Sequence, residues 1–280
     1  MSFAFSALKP EYTALLIHMR ITRESVVNAT ADRLLRHVDE GRYEEVSAKT
    51  GIPQIVMAAS FEREASSNFN LSPAQGDPWR HRSVHVPRGR GPFSSWAEAA
   101  IDAYHIDCLD TIGAQNWSWE RACFEEELFN GFGPRMHGKH TGYLWAGSSA
   151  YTGGKYVSDG VWNPSAIDHQ LGVIPMMFAM VKLRPSLTLP IAFPVTTSAP
   201  TLPEKPQAAP TGLHDAAALQ AALNTLGANP KLEVDDNYGR NTKRAVMAFQ
   251  ADNGLAVDGI AGPDTWAKIN EHLGETAKAA

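Results

Sequence analysis

Two cysteines in 280 residues, Cys108 and Cys123, are too few for a disulfide framework and too widely spaced for a paired-thiolate metal site; both fall in helix-like sequence, which predicts two reduced, buried thiols. No apolar run is long enough to cross a membrane. The most apolar stretch, GVIPMMFAMVKL, is interrupted by Pro175, reaches Lys182 and is followed by Arg184, so it predicts a buried core helix. Basic charge is not concentrated either. The net charge is −5, from 25 Lys and Arg against 30 Asp and Glu, with no aromatic-interleaved basic patch, which argues against nucleic acid as the main partner. The amino terminus, MSFAFSALKPEY, lacks a basic segment followed by an apolar one, so no Sec signal is expected and work outside the cytoplasm would need another release route.

What is present is mainly helical periodicity divided by one linker. Seven prolines fall between Arg184 and Gly212 among Thr, Ser and Ala, a semi-rigid composition. The expected organisation is therefore a first domain over 1–184, a linker over 185–212 and a second domain over 213–280. In the first domain YTALLIHM, ESVVNATADRLLRHV and IPQIVMAASFERE carry apolar residues at three and four spacing, with Gly41 and Gly51 between them. Ser95 with Glu98, and Ser165 with Asp168, read as capping boxes opening two later helices. RSVHV alternates and suggests a small hairpin or irregular flap, and 131–164 reads as a long aromatic, glycine-rich functional loop. Glu125, Glu126 and Glu127 read as a solvated helix face.

An internal repeat follows the linker. VDDNYGRNT begins at Val234 and VDGIAGPDT at Val257, 23 residues later, each a turn with a glycine and then a threonine near a helix start. Leu219-Gln220, Asp235, Tyr238-Gly239, Thr242, Phe249-Gln250, Asp258-Gly259, Thr265 and Trp266 resemble the pattern of the type 1 peptidoglycan-binding domain, over about Leu213 to Leu273. The resemblance implies a three-helix bundle that binds muropeptide or glycan in a shallow groove, with Tyr238, Arg240 and Asp258 as candidate wall-binding residues. In VDDNYG, Asp236 replaces the usual glycine; Asp tolerates left-handed backbone better than most residues, so the turn should survive.

Wall binding directs attention to chemistry that cuts peptidoglycan. His81 with His85 and His137 with His140 are paired histidines, but RHRSVHVPRG does not look helical, so no metal and no cofactor are expected. For glycan cleavage, Glu64 lies three, four and seven residues after Phe61, Ser60 and Met57, so its carboxyl would leave a helix end beside an apolar wall and be kept protonated by desolvation. Glu62 shares a side with Ile55, Ala58 and Ala59, so position alone does not separate the two glutamates.

REASSNFN, with GDPW, HVPRGRGPF, NGFGPR and YLWAGSSAY after it, resembles a phage and bacterial group with a lysozyme-like fold, over about residues 45 to 183. The G-L-M-Q signature of soluble lytic transglycosylases and the Asp-Thr flap of phage lysozymes are absent. The resemblance puts Glu64 in the place of the catalytic acid and implies a lysozyme-like α+β domain. Asp77, in a predicted turn before proline, is the candidate second carboxylate. Asn130 and Gly131 resemble the Asn-Gly step beside a lysozyme cleft, and Tyr143, Trp145 and Tyr151 are candidate sugar-stacking residues. The combined expectation is a mainly α, monomeric endolysin acting on glycan strands and muropeptides, cleaving the MurNAc to GlcNAc β-1,4 bond, with neither membrane nor nucleic acid as partner. It would be made in a host cytoplasm and released by a holin or carried in a virion. The alternative is a non-catalytic wall-binding or virion protein with an inactive lysozyme-like domain.

Overall fold

Seven consecutive residues of one helix, Ile55 to Phe61, are buried, so this helix is enclosed on all sides instead of presenting an amphipathic face. In the computed structural model, residues 5–193 are described except 75, 86–87, 108 and 159–160, as are residue 206 and residues 216–279 except 237, 256–258 and 260; the side chains of 240 and 276–279 lie outside that description. The first part contains α1 (Phe5–His18), α2 (Glu24–Asp39), α3 (Glu44–Thr50), the enclosed α4 (Gln54–Ala65), α5 (Trp96–Ile106), α6 (Trp119–Asn130), the short α7 (Gly133–Met136) and α8 (Gly142–Trp145), and α9 (Val173–Leu183). A two-stranded antiparallel hairpin, β1 (Lys155–Ser158) with β2 (Val161–Asn163), precedes α9.

The apolar run around Pro175 becomes α9, which packs against α2, α4 and α8 with Val173, Ile174, Met176, Met177 and Met180 fully buried. That matches the core helix expected from its composition. Among the described residues no helix is long and apolar enough to cross a membrane. Cys123 is a free, buried thiol, and burial raises its pKa well above the ordinary value. Cys108 lies outside the described residues.

Three local expectations are corrected. Ser95 caps α5, accepting the Glu98 amide at 3.0 Å, but Ser165 and Asp168 open no helix: α9 starts only after Gly172, and Asp168 pairs instead with Arg63. RSVHV forms no described strand; the loop is tied by the Asp77 carboxylate, which accepts the Val84 and His85 amides at 2.8 and 2.9 Å. The 131–164 stretch is not one long loop, since it contains α7, α8 and the hairpin. The chain also continues to pack past Arg184: Leu189 is buried, and Phe193 lies edge-on to Trp119 at 5.2 Å and to Phe178 at 5.9 Å.

After the linker, α10 (Ala216–Thr225) packs on α11 (Arg240–Asp252) and α12 (Pro263–Ala279). The repeat is visible as two glutamines doing the same job. Gln220 accepts the Asp235 and Asp236 amides and donates to Thr242 at 3.1 Å, and Gln250 accepts the Gly259 amide and donates to Thr265 at 3.1 Å. Asp236 takes the left-handed conformation, φ 58°, where the pattern has glycine, as its tolerance of that backbone allows.

Candidate active site and wall-binding domain

The two glutamates at the end of α4 are separated by their partners. Glu62 is held by Arg33 through two bonds of 2.8 and 2.7 Å and accepts the Ser67 hydroxyl at 2.8 Å, so its oxygens are committed to structure. Glu64 is exposed, and among the described residues no cation pairs with it. The exposure corrects the expected desolvation beside an apolar wall. Ser66 and Ser67 both adopt left-handed backbone, φ 50° and 54°, directly after the helix. Non-glycine residues there store about 1–3 kcal/mol each, strain that recurs at functional sites.

Beneath Glu64 lies a buried polar layer. The run at 125–127 is not a solvated face: all three side chains are buried. Glu126 accepts the Ser60 hydroxyl at 3.0 Å and is pushed up to about 8, by burial first and then by the negative charges of Glu64 and Glu125. The Tyr143 hydroxyl is raised far above its ordinary value by burial, then by Glu64 and Glu126. Glu127 and Glu11 share Arg135, at 2.8 Å on each contact, and Tyr12 donates to Glu127 at 2.6 Å.

Glu126 gives a pH prediction with a definite sign. Its pKa is raised from 4.5 to about 8 by folding, so its contribution is fully present below about 4.5 and is lost as pH rises through about 8. At about 1.4 kcal/mol per unit this amounts to several kcal/mol. Glu126→Gln, which keeps a neutral hydrogen-bonding group, should flatten the fall in melting temperature between pH 5 and 9. An unchanged fall would assign the slope to other groups.

Two cavities meet at Asn130. One, of about 360 Å³, is bordered by Arg63, Tyr143, Lys155, Tyr156 and Asp168; the other, of about 310 Å³, includes Glu64 and Phe129. Asn130 donates to Thr141 at 3.2 Å, and Gly131, φ 91°, turns the chain at the end of α6. Arg63 joins the Asp168 carboxylate and lies 5.1 Å over the Tyr143 ring, with Lys155 3.5 Å from the other Asp168 oxygen. These two cations hold Asp168 below the usual carboxylate range despite its burial. Gly142 permits the approach, since an added Cβ would lie 2.8 Å from the Asp168 Cβ.

The structure redistributes the aromatic candidates. Trp145 is 1% exposed and belongs to the core, so its ring is not presented to a sugar; Tyr143 is likewise buried, with only its hydroxyl directed at the carboxylates. Tyr151 is partly exposed and acts as a bridge, donating to the Gly154 carbonyl at 3.1 Å and accepting the Asp168 amide at 3.0 Å. Sequence reasoning missed Tyr156 and Trp162, which face each other across the hairpin. Trp162 stacks on His137 at 4.3 Å, and Tyr156 borders the larger cavity. The available signal is the β-branched and aromatic residues of KYVS and VWN on either side of the turn dipeptide Asp159-Gly160 in the sequence.

Asp77 lines neither cavity. Besides the two amides it binds His85 Nδ1 at 2.7 Å, and these bonds, the His85 amide foremost, hold its carboxyl below the usual range. These three bonds tie the loop together. His140 lies 3.4 Å from Glu11, and among the described residues no three His, Cys, Asp or Glu side chains converge as metal ligands.

The carboxy-terminal bundle can be compared with known proteins. Residues 214–269 match the family described as "Putative peptidoglycan binding domain". This segment is a type 1 peptidoglycan-binding domain. The chain is also 47% identical over 57 residues to an N-acetylmuramoyl-L-alanine amidase CwlM of Mycobacterium tuberculosis, covering 20% of this chain and 14% of that protein. It is 51% identical over 43 residues to a zinc D-Ala-D-Ala carboxypeptidase of Streptomyces albus G, covering 15% and 17%. The chain thus spans less than a fifth of either relative's length. No solved structure matches it.

Within the peptidoglycan-binding domain, Tyr238 is 5% exposed and donates to the Gly259 carbonyl at 2.7 Å, joining the two repeat turns instead of facing a ligand. The Arg240 side chain and Asp258 lie outside the described residues. The domain touches the first part of the chain through Lys243 of α11, whose Nζ is 3.2 Å from Glu125 of α6.

Proposed function

We propose that this protein cleaves the glycan of peptidoglycan at the MurNAc to GlcNAc β-1,4 bond, with Glu64 as general acid in a lysozyme-like domain and the peptidoglycan-binding domain as anchor. The observation that carries this reading is the contrast at the end of α4: Glu62 is committed to Arg33 and Ser67, whereas Glu64 is exposed and makes no ion pair among the described residues, beside a cavity. Glu64 donates its proton to the leaving oxygen as the C1–O bond breaks. Water, or the MurNAc 6-hydroxyl, then bonds to C1 and releases a proton. A glycan strand seated in the cleft removes water from Glu64, supplying on binding the desolvation that the free helix end lacks. With Asp77 and Asp168 both engaged elsewhere, the reading uses a single protein carboxylate. Action as a monomeric endolysin, released by a holin or carried in a virion, belongs to the same proposal.

The relatives' names favour a second reading, cleavage of an amide or peptide bond, with zinc named for the carboxypeptidase. Purified sacculi distinguish the two. The glycosidase reading predicts new glycan ends without free amines and no effect of EDTA. Release of free amines that EDTA abolishes would establish the second reading instead.

Modularity supplies a further prediction. Because Leu189 and Phe193 pack on the first domain, a fragment ending after residue 193 should melt cooperatively and bind sacculi more weakly than the whole chain. A fragment that does not melt cooperatively would place the boundary elsewhere.

A further inference from the structure

The cavity of about 310 Å³ beside Glu64 has walls from both parts of the chain. Glu64 and Asn130 stand on one side; Gln220, Glu233, Asp235 and Asn241 of the peptidoglycan-binding domain stand on the other. Its size is within the range of small-molecule sites. One described contact between the two walls is the Lys243–Glu125 pair, whose side chains are only 12% and 4% exposed, so it is screened far less than a surface pair. Glu64 nevertheless remains exposed with the domain in place. The domain therefore borders the acid without capping it.

The lining chemistry specifies what fits. Among the described residues bordering this cavity none is cationic, while carboxylates and side-chain amides predominate. Such a surface repels the anionic stem peptide and accepts hydrogen bonds from hydroxyl and acetamido groups. Its carboxylates do not converge as metal ligands among the described residues.

We propose that the two domains form one composite saccharide subsite, in which the peptidoglycan-binding domain grips an uncharged, acetamido-bearing sugar of the same strand whose glycosidic bond lies at Glu64. This inference rests on the glycosidase reading for the direction of the strand, but binding can be measured apart from cleavage. Asn241, exposed near the start of α11, and Lys243 are the positions to alter. Asn241→Trp fills the cavity, and Lys243→Glu sets two carboxylates against each other and separates the walls.

The probe is tetra-N-acetylchitotetraose, titrated calorimetrically into the full chain and both variants. Each substitution should weaken binding about tenfold, the effect of losing one or two hydrogen bonds. Unchanged affinity in both variants would overturn the proposal by making the domains independent binders, and tighter binding in Lys243→Glu would overturn it by making the domain a lid. Lysis of sacculi by Glu64→Gln is the separate control. Retained lysis there, together with weakened chitotetraose binding in the two variants, removes the glycosidase reading and leaves the subsite standing.

Discussion

Glu64→Gln is expected to lower the rate of sacculus clearing by about 10²–10⁴-fold, the usual contribution of a general acid, while leaving the fold and wall binding intact. The amide has nearly the shape of the carboxyl but no proton to give. Glu64 is exposed and makes no ion pair with any described residue, and the amide oxygen of Gln can still accept from the Tyr143 hydroxyl, so the substitution breaks no salt bridge. Glu62→Gln should behave in the opposite way. It weakens a two-bond pair with Arg33 and a bond from Ser67, costing about 1–2 kcal/mol of stability, with clearing retained well below the melting temperature. Equal losses of clearing at both positions in a turbidity assay would contradict the assignment.

The second large effect concerns stability. Arg135 is fully buried between Glu127 and Glu11, with the Tyr12 ring 5.3 Å beneath its guanidinium. Arg135→Ala leaves two buried carboxylates without their cation, at a cost of about 3–5 kcal/mol. For a chain of this size that lowers the melting temperature by roughly 10 °C or more. The segment from Gly131 to Thr141 should loosen as well, because Arg135 pins it to α1 and α6. Adding Glu127→Gln should recover part of the loss by removing one of the uncompensated charges. Calorimetry of the single and double variants checks both statements; a shift of a degree or two for Arg135→Ala would show that the ions are better solvated than their burial implies.

Much of the fold was legible because it is written in local pattern. The spacing of apolar residues placed α2, α4 and α9, Ser95 and Glu98 marked the start of α5, and the 23-residue repeat became the paired turns served by Gln220 and Gln250. What escaped depends on partners far away in the chain. Three successive glutamates look solvated until Tyr12, 115 residues from Glu127, and Lys243, 118 residues from Glu125, are brought against them. Asp168 resembled a cap because its cation, Arg63, is 105 residues distant. Likewise a tryptophan in glycine-rich sequence gives no local sign of facing inward, so Trp145 resembles a sugar platform in the sequence and is core in the structure.

The glutamates show both limits together. Helical spacing puts both carboxylates near the end of α4 but cannot rank them, and it predicts a desolvated environment for Glu64, which is exposed in the structure. Resemblance selected Glu64. In the structure Glu62 is paired with Arg33, a contact between residues 29 apart that helical spacing does not reveal.

Mass spectrometry of the soluble products released from purified sacculi tests the central claim most directly. The account predicts disaccharide muropeptides ending in MurNAc, either as the reducing sugar or as its anhydro form, with the stem peptides still attached. Intact glycan strands accompanied by free stem peptides, or shortened stems on uncut glycan, would contradict it.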